Sequence, residues 1–213
     1  MIIDIEQGTE QWFDLRAGMV TGSRVADVMA TIKSGEAAVR RNYRAELITQ
    51  ILTGVTPEKY VSQEMLWGTE NEPFARAAYE LQNDIVVEKA GFAVHPHMER
   101  FGASPDGLIG TTGLLEIKCP NTSTHIDYLL RGKVPAEYEP QMLAEMACAE
   151  REWCDFVSFD PRLPSDLQLF VRRFERDDKR IEEIEKMVEI FLSEMDDVLS
   201  RLTQLRQDRA NGK

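Results

Sequence analysis

The chain has 213 residues, of which 43% are hydrophobic and 29% are charged. This length is enough for one sizeable hydrophobic core and does not require a second domain. The composition is that of a globular protein, and no apolar run reaches the roughly 18 residues of a membrane-spanning helix. The net charge of −12 excludes a protein whose whole surface is basic, so any contacts with phosphate groups are expected in a confined groove.

The cysteines and histidines lack the spacing of a structural site. Cys119, Cys148 and Cys154 form no C-x-x-C pair and no Cys/His pattern typical of zinc. We therefore predict free thiols. The amino terminus lacks the basic start and apolar run of a signal peptide, so a cytoplasmic location is expected.

The first fifth of the chain is predicted to be helical. Residues 8–18 have the pattern of a short amphipathic helix, and a second helix is predicted after it with Thr21 or Ser23 as its N-cap. The turn between them offers Arg16, hydroxyl groups and free backbone amides. Such a helix N-terminus is typical of an anion site, although a cap that only satisfies its own backbone is the simpler interpretation.

The next two predicted helices cover residues 37–52 and 62–82. The first carries Arg40, Arg41 and Arg44, which could face a nucleic-acid backbone or form an ordinary solvated face. The second contains Pro73, which is expected to kink it or to begin a new helix. The apolar stripe of this second helix would consist of Met65, Leu66, Phe74, Ala78 and Leu81.

The rest of the chain alternates predicted strands and helices. Two short strands, separated at residues 90–91, are predicted within residues 84–94. Further strands are predicted over residues 101–103, 153–159 and 167–174. Helices are predicted over residues 122–130, 135–150 and 176–209. The last helix could form a coiled coil, but its apolar stripe is wider than a coiled-coil seam, which favours packing along its own domain.

The most informative stretch contains Asp106, Glu116 and Lys118. Three glycines and two threonines between the two carboxylates predict a hairpin that lays them on neighbouring strands. Because strand side chains alternate, Glu116 and Lys118 point to one face, while Ile117 points into the core and its carbonyl oxygen stays available. Two carboxylates and a carbonyl oxygen are ligands that Mg²⁺ or Mn²⁺ prefers.

A lysine beside such a metal site suits phosphodiester hydrolysis. The Lys118 ammonium can orient a water molecule, lower its pKa or neutralise charge on the phosphate. The simpler alternative is a surface hairpin with an ordinary Glu/Lys pair, which is what short E-x-K strings usually are.

The longer string favours the hydrolytic interpretation because it resembles a known family. Ser104-Pro-Asp-Gly107, followed by Leu115-Glu-Ile-Lys-Cys-Pro120, matches the PD-(D/E)xK nuclease signature. More narrowly, it resembles the phage lambda-type exonucleases, also called viral alkaline exonucleases. The resemblance extends from Trp12 to about Pro161.

The resemblance implies a pocket for a DNA 5′-phosphate. Trp12-Phe-Asp-Leu-Arg16-Ala-Gly18, followed by Thr21-Gly-Ser23, is similar to the family's amino-terminal motif, in which an arginine and a serine hold this phosphate. The serine before the Pro-Asp is the third member of that pocket. Arg16, Ser23 and Ser104 therefore inherit the role.

The resemblance also implies two further residues at the catalytic centre. Gly68-Thr-Glu-Asn-Glu72 resembles a G-x-x-x-E stretch whose last glutamate is an extra metal-site carboxylate, so Glu72 inherits this role. Pro73 departs from that pattern. Gln141, which follows Tyr138 by three residues, inherits a place beside the metal, with a polar residue on a helix flank as the alternative.

The fold implied by the resemblance is α/β, with a restriction-endonuclease-like core. A central mixed β-sheet of about five strands would be flanked by helices and followed by a long C-terminal helix. A single nuclease domain would span residues 1–213, with N-terminal helices at 9–54, a catalytic core at about 60–175 and the terminal helix at 176–209.

The implied activity is that of a Mg²⁺-dependent 5′-to-3′ exonuclease, with Mn²⁺ as a substitute. It would degrade one strand of linear double-stranded DNA from 5′-phosphorylated ends to mononucleotides and leave a 3′ overhang. Asp106, Glu116 and the Ile117 carbonyl would hold the ions in a two-metal arrangement.

The resemblance further implies partners and a setting. Family members form a ring-shaped homotrimer around DNA and work with a single-strand annealing protein in homologous recombination. The expected location is the cytoplasm of a bacterial or phage-infected host cell. An endonuclease of the same fold and a DNA-end-binding protein with a degenerate site are the alternatives.

Overall fold

The chain contains both helices and strands, in several consecutive runs of each. The computed structural model describes residues 1–55 and 62–212. The helices are α1 (Glu10–Arg16), α2 (Val25–Met29), α3 (Ala38–Thr53), α4 (Gln63–Asn83), α5 (Thr122–Arg131), α6 (Glu139–Ala149) and α7 (Asp178–Ala210). The strands are β1 (Ile2–Ile3), β2 (Val20–Thr21), β3 (Phe92–Val94), β4 (Phe101–Ala103), β5 (Gly107–Ile109), β6 (Gly113–Lys118), β7 (Trp153–Phe159) and β8 (Leu169–Glu175). The predicted α/β class is confirmed.

The described strands form two four-stranded sheets, in the orders β1-β3-β4-β2 and β5-β6-β7-β8. In the second sheet, β6 pairs antiparallel with β5 and parallel with β7, and β8 pairs antiparallel with β7. The sheet is mixed, as expected, but the prediction of about five strands in one central sheet is wrong. Pro105, between β4 and β5, has no N–H group with which to continue a ladder from one sheet to the other.

Helix α6 is the central helix of the fold. Every residue from Met142 to Ala149 is buried, and the helix packs against strands of both sheets and against α7. A helix that is buried on all sides can carry polar side chains into the interior only where they find partners. Gln141 lies in its first turn, and Glu145 lies one turn further along. The predicted start of this helix at residue 135 is wrong, since the helix begins at Glu139.

The second sheet is covered on both faces. Leu114 and Phe156 belong to the larger apolar cluster, which includes residues of α6 and α7, whereas Leu115, Ile117 and Val157 belong to a smaller cluster beneath α4. This division follows the two-residue period of a strand. It confirms the expectation that helices cover both sides of the sheet.

Helix α7 packs along the rest of the fold, as predicted. Ile184, Val188 and Phe191 of its apolar stripe are buried in the larger cluster. Leu205 is 52% exposed, so the final turns extend past the core.

Two of the three arginines of α3 hold that helix against α7. Arg40 and Arg44 each form ion pairs with Glu36 and Glu194, at distances between 2.5 and 2.8 Å. The alternative of an ordinary solvated face is therefore wrong for these two arginines, whose guanidinium groups are bound by carboxylates. The reason is that Glu194, about 150 residues away in the chain, meets α3 only in the folded structure. Arg41 is exposed.

Helix α4 buries a different face from the predicted one. The residues that are at least 50% exposed include Met65, Leu66, Phe74 and Leu81. The buried face consists of Asn71, Ala75 and Tyr79. The Tyr79 hydroxyl donates a 2.7 Å hydrogen bond to Asp155 of β7, and apolar periodicity cannot reveal such a contact. The helix runs through Pro73 as one element, so the alternative of a new helix there is wrong.

Two other local predictions are corrected. Thr21 is buried in β2, and neither Thr21 nor Ser23 caps α2 with its side chain, because a short 3₁₀ helix, Gly22–Arg24, precedes that helix. Of residues 84–94, only the last three form a strand, and Glu88 makes a single bridge to Leu108.

The cysteines and histidines serve packing. All three cysteines are free, as predicted. His95 contacts Glu185 at 2.9 Å, and His125 lies between Ser158 and the Leu167 carbonyl. Within residues 1–55 and 62–212, no helix has the length and apolar character needed to cross a bilayer.

We expect Glu194→Ala to lower the free energy of unfolding by roughly 1–2 kcal/mol, because Arg40 is 9% exposed and would lose one of its two carboxylate partners. Urea unfolding at pH 7 measures this change. Glu189→Ala is the matched control, since Glu189 is exposed on the same helix and its substitution should cost less than about 0.5 kcal/mol. Equal effects of the two substitutions would contradict the role of the ion pairs.

The ion pair between Asp160 and Arg162 should make stability depend on pH. Asp160 is fully buried, Arg162 is 44% exposed, and the two side chains are 2.7 Å apart. Burial alone would raise the pKa of Asp160, but hydrogen bonds from Arg162 and Thr122 outweigh burial and lower the pKa to about 2. Because the pKa is lower in the folded state, ionised Asp160 stabilises the fold above about pH 4, and this contribution disappears as the pH falls towards 2.

We therefore expect Arg162→Ala to lower the free energy of unfolding by about 1 kcal/mol at pH 7 and by clearly less at pH 3. Urea unfolding at a series of pH values measures the difference. Introducing Arg162→Ala into an Asp160→Asn background is the control, since the effect should then not depend on pH. A loss that stays constant from pH 7 to pH 3 in the otherwise unchanged protein would argue against the ion pair.

Candidate active site

The predicted hairpin is present and brings Asp106 to the end of β6. Gly107 pairs with Leu115 in the antiparallel ladder of β5 and β6. The Asp106 N–H donates to the Leu115 carbonyl at 3.1 Å, and the Ile117 N–H donates to Oδ2 of Asp106 at 2.6 Å. The Asp106 carboxylate therefore occupies the edge of β6 just where β5 no longer pairs with it.

The Ile117 carbonyl group faces the same edge. In a strand, the N–H and C=O of one residue point to the same side, so the Ile117 carbonyl points towards Asp106 and away from β7. Its side chain is buried in the cluster beneath α4. The predicted burial of the Ile117 side chain is confirmed, and the strand geometry leaves its carbonyl oxygen facing the site.

Glu116 and Lys118 project from the other face of β6. The Glu116 side chain is 1% exposed and the Lys118 side chain 28% exposed, and the Lys118 ammonium forms an ion pair with Oε1 of Glu116. The same ammonium lies 5.1 Å from the centre of the Tyr138 ring, a distance at which the face of the ring attracts a cation. Lys118 is thus fixed beside the carboxylates on the cleft wall.

Burial and like charges shift the ionisation of this cluster. Burial, and then the Glu116 carboxylate, raise the pKa of Asp106 well above its usual range. Burial lowers the pKa of Lys118, but Glu116 and Asp106 outweigh it and raise that pKa above its usual value. The two carboxylates beside it therefore favour the charged form of Lys118, and an ammonium in this position can orient water or stabilise charge on a phosphate.

Gln141 enters the cluster from α6. Its Nε2 donates to Oε1 of Glu116 at 2.7 Å and to Oε1 of Glu145 at 2.8 Å. Glu145 is buried, and burial together with the Glu116 charge raises its pKa well above the usual range. Sequence reasoning missed Glu145. Its position four residues after Gln141 on a predicted helix, in an otherwise apolar run, was the signal that could have found it.

Glu72 reaches the same cleft from α4. It contributes to the cleft wall together with Asp106, and its charge also raises the pKa of Asp106 after the larger effects of burial and Glu116. Its Oε1 accepts a hydrogen bond from Arg76 at 3.0 Å. Pro73 does not turn Glu72 away from the site, because α4 continues through it.

These residues line a cleft with a volume of about 460 Å³. Its wall includes Glu72, Asp106, Glu116, Ile117, Lys118, Tyr138 and Gln141. All the residues that the sequence assigns to the catalytic centre and to the metal therefore meet in one cleft.

The donor set of the cleft fits a hard divalent cation. Oε2 of Glu116 is buried and has no hydrogen-bond partner among the described residues, which is costly unless a cation satisfies it. In the same part of the chain, no three His, Cys, Asp or Glu side chains are close enough to form a metal site by themselves. Asp106 and Glu116 would need the Ile117 carbonyl and water to complete the coordination, as is usual for Mg²⁺.

A second, smaller pocket of about 130 Å³ adjoins the cleft. Arg16, Ser23 and Ser104 line it, together with Trp12, Gln141 and Glu145. Trp12 organises this pocket. Its Nε1 donates to Oγ of Ser104 at 3.0 Å, and the Arg16 guanidinium lies 3.6 Å from the centre of its ring. The sequence motif begins at Trp12, but sequence reasoning assigned Trp12 no role.

Arg16 is a positive charge without an acidic partner. No carboxylate of the described residues lies within ion-pair distance, and its buried Nε has no hydrogen-bond acceptor there. Burial lowers the pKa of Arg16 to about 10, so the guanidinium stays charged at neutral pH. A cation held on an aromatic ring, with serine hydroxyls beside it, suits a phosphate group.

Comparison with known proteins identifies the family. The YqaJ-like viral recombinase domain matches residues 11–152. The alkaline exonuclease LHK-Exo from Laribacter hongkongensis is 50% identical, over 94% of this chain and 99% of that chain, with a TM-score of 0.86. Its complex with dAMP has the same identity and coverage and a TM-score of 0.88. No curated protein matches the chain significantly.

A more distant structure shares only the fold. The phage-related exonuclease from Haemophilus somnus 129PT is 16% identical, over 86% of this chain and 96% of that chain, with a TM-score of 0.69. The family match covers both the pocket of Arg16 and the cleft of Asp106, and the 50% identity extends over nearly the whole chain. The chain therefore belongs to the YqaJ-like viral recombinase family and is a nuclease with the fold of the alkaline exonucleases.

Proposed function

We propose that this nuclease is a Mg²⁺-dependent 5′-to-3′ exonuclease that degrades one strand of linear double-stranded DNA from 5′-phosphorylated ends. Its products would be mononucleotides and a 3′ overhang. The observation that supports this most is the position of Gln141, which lines both the acidic cleft and the pocket of Arg16. A terminal phosphate in that pocket would place the adjacent phosphodiester next to the hydrolytic groups.

In the cleft, Asp106, Glu116 and the Ile117 carbonyl would hold Mg²⁺ or, as a substitute, Mn²⁺. The bound ions would act as Lewis acids on the phosphate and help to activate water. Lys118 would orient the attacking water or stabilise charge on the phosphate, because its ammonium is held beside Glu116 on the wall of the cleft. Glu72 would add negative charge near Asp106, where the cation would bind.

In the pocket, Arg16 would bind the terminal 5′-phosphate with its free guanidinium face. Ser104 accepts from Trp12, so its own hydroxyl hydrogen can be donated to a phosphate oxygen. Ser23, which is exposed at the rim of the pocket, would supply a second hydroxyl. The pocket then recognises an end by its charge and not by its base.

The comparisons support the same class of reaction. LHK-Exo is described as an alkaline exonuclease, and dAMP, with which it was crystallised, is a 5′-mononucleotide, the proposed class of product. The family description, a viral recombinase domain, agrees with a role in recombination. In that role, the proposed partner is a single-strand annealing protein.

We also propose a homotrimer that forms a ring around DNA. Large apolar side chains on the outer face of α4, among them Phe74 and Leu81 at 65% and 86% exposure, are suited to contacts between copies. Enclosed DNA would also be compatible with a net charge of −12, because Arg16 and its pocket would be inside the ring. Light scattering coupled to gel filtration measures the mass in solution.

We expect end-dependent hydrolysis on a linear duplex that has a 5′-phosphate at one end and a 5′-hydroxyl at the other. With Mg²⁺, mononucleotides should be released from the phosphorylated end much faster than from the other, and EDTA should stop the reaction. A closed circular duplex is the control and should remain intact. Cutting of the circle would favour an endonuclease that uses the same cleft.

We expect Lys118→Ala and Asp106→Ala to lower kcat at least 100-fold while the circular dichroism spectrum stays that of the wild type, because each removes a charge at the reacting phosphate. Lys133→Ala, at an exposed lysine, is the matched control. Substantial Mg²⁺-dependent activity in purified Lys118→Ala protein would contradict the assignment.

We expect Arg16→Gln to raise KM about tenfold or more for 5′-phosphorylated ends and to change hydrolysis of 5′-hydroxyl ends much less, because one charge-assisted contact to the phosphate is lost. Initial rates on the two kinds of end measure this. Arg209→Gln, at an exposed arginine near the end of α7, is the control. A proportional loss on both kinds of end would mean that Arg16 does not read the phosphate.

A further inference from the structure

Gln141 forms both of its hydrogen bonds through one nitrogen. Nε2 donates to Glu116 at 2.7 Å and to Glu145 at 2.8 Å, so both amide hydrogens are used. Among the described residues, no group donates to Oε1 of Gln141. The amide therefore has a fixed donor side, bound between two carboxylates, and an acceptor side that is left for water or substrate.

The second of these carboxylates is unusual within the fold. Four acidic side chains are classed as buried in the described residues: Glu116, Glu145, Asp155 and Asp160. Three of them form ion pairs: Glu116 with Lys118, Asp155 with Arg173, and Asp160 with Arg162. Among the described residues, no cation forms an ion pair with Glu145. Its Oε2 also has no hydrogen-bond partner there.

A buried carboxylate of this kind costs stability. Taking it out of water is unfavourable, and one hydrogen bond from a neutral amide offsets only part of the cost. An apolar residue would pack in the same place on α6, where the next residues along the helix are all buried. A group that is this unfavourable for folding, and whose one hydrogen bond goes to Gln141 of the cleft, is typical of a functional role.

Glu145 determines the orientation of the Gln141 amide. If the amide turned over, its carbonyl oxygen would face two carboxylates, which is repulsive, and both would lose their donor. Without an acceptor at position 145, one N–H of Gln141 would be unpaired and the amide could rotate about its last torsion angle. The hydrogen bond to Glu116 would then be made in only part of the population.

We propose that Glu145 is a positioning residue for hydrolysis: by accepting one N–H of Gln141, it keeps the other on Glu116 and keeps the Gln141 carbonyl oxygen available at the junction of cleft and pocket. This inference rests on the proposed function, because it names how Gln141 is held for that reaction. Since Glu145 also lines the pocket of Arg16, the residue that holds Gln141 lies beside the site of the terminal phosphate.

The test compares two substitutions of similar size. Glu145→Leu removes the acceptor, and Glu145→Gln removes the charge but keeps a carbonyl oxygen that can accept from Gln141. On a 5′-phosphorylated duplex with Mg²⁺, we expect Glu145→Leu to lower kcat at least tenfold with less than threefold change in KM. We expect Glu145→Gln to keep kcat within threefold of the wild type. Cys148→Ala, at a buried site on the same helix, controls for general damage to α6.

A second readout does not depend on activity. The two side-chain amide protons of Gln141, followed by ¹⁵N-edited NMR, should exchange slowly with water in the wild type and in Glu145→Gln, and one should exchange quickly in Glu145→Leu. Unchanged exchange in Glu145→Leu would overturn the inference. Equal loss of kcat in Glu145→Leu and Glu145→Gln would also overturn it, because the charge of Glu145, and not its hydrogen bond to Gln141, would then be what the reaction needs. If the wild type does not hydrolyse DNA ends but the exchange pattern is as expected, the proposed function fails while the positioning of Gln141 stands.

Discussion

The site depends on an unequal pairing of the two edges of β6. Its parallel partner β7 pairs with it as far as Lys118, whereas its antiparallel partner β5 stops opposite Leu115. The last residues of β6 are therefore held rigidly from one side and are open on the other. Asp106 occupies the open edge by accepting the Ile117 N–H, and the Ile117 carbonyl is left beside it. A longer β5 would have used this carbonyl for a ladder hydrogen bond and removed it from the site.

The pocket and the cleft come from distant parts of the chain, and one strand pair brings them together. Strand β2 pairs in parallel with β4, with Thr21 opposite Gly102, so the segment after Arg16 lies beside the segment that leads to Ser104. The pocket of Arg16 and the cleft of Asp106 are thus adjacent because two short strands pair.

Some charged side chains are held in ion pairs that stabilise the fold, whereas others have no ionic partner within the part of the chain that the structure describes and lie at the site. Arg40 and Arg44 are neutralised by Glu36 and Glu194 and stabilise the contact of two helices. Arg16 has no such partner in the described residues and remains available to a ligand. The same contrast holds for acids, since Asp155 and Asp160 are paired with arginines whereas Glu145 is not. Net charge or a count of basic residues does not distinguish these roles, because they depend on which partner lies within reach.

The sequence by itself determined the features that follow from local rules and from a matching motif. Strand alternation and the glycine-rich turn were enough to predict the hairpin, the shared face of Glu116 and Lys118, and the exposed Ile117 carbonyl. The motif was enough to select Arg16, Ser23, Ser104, Glu72 and Gln141, which all line the two cavities. Only the tertiary structure decided the rest: the division into two sheets, the face of α4 that is buried, and the use of Arg40 and Arg44. These depend on hydrogen bonds and ion pairs between residues far apart in the chain, such as Tyr79 with Asp155, and periodicity carries no information about such partners.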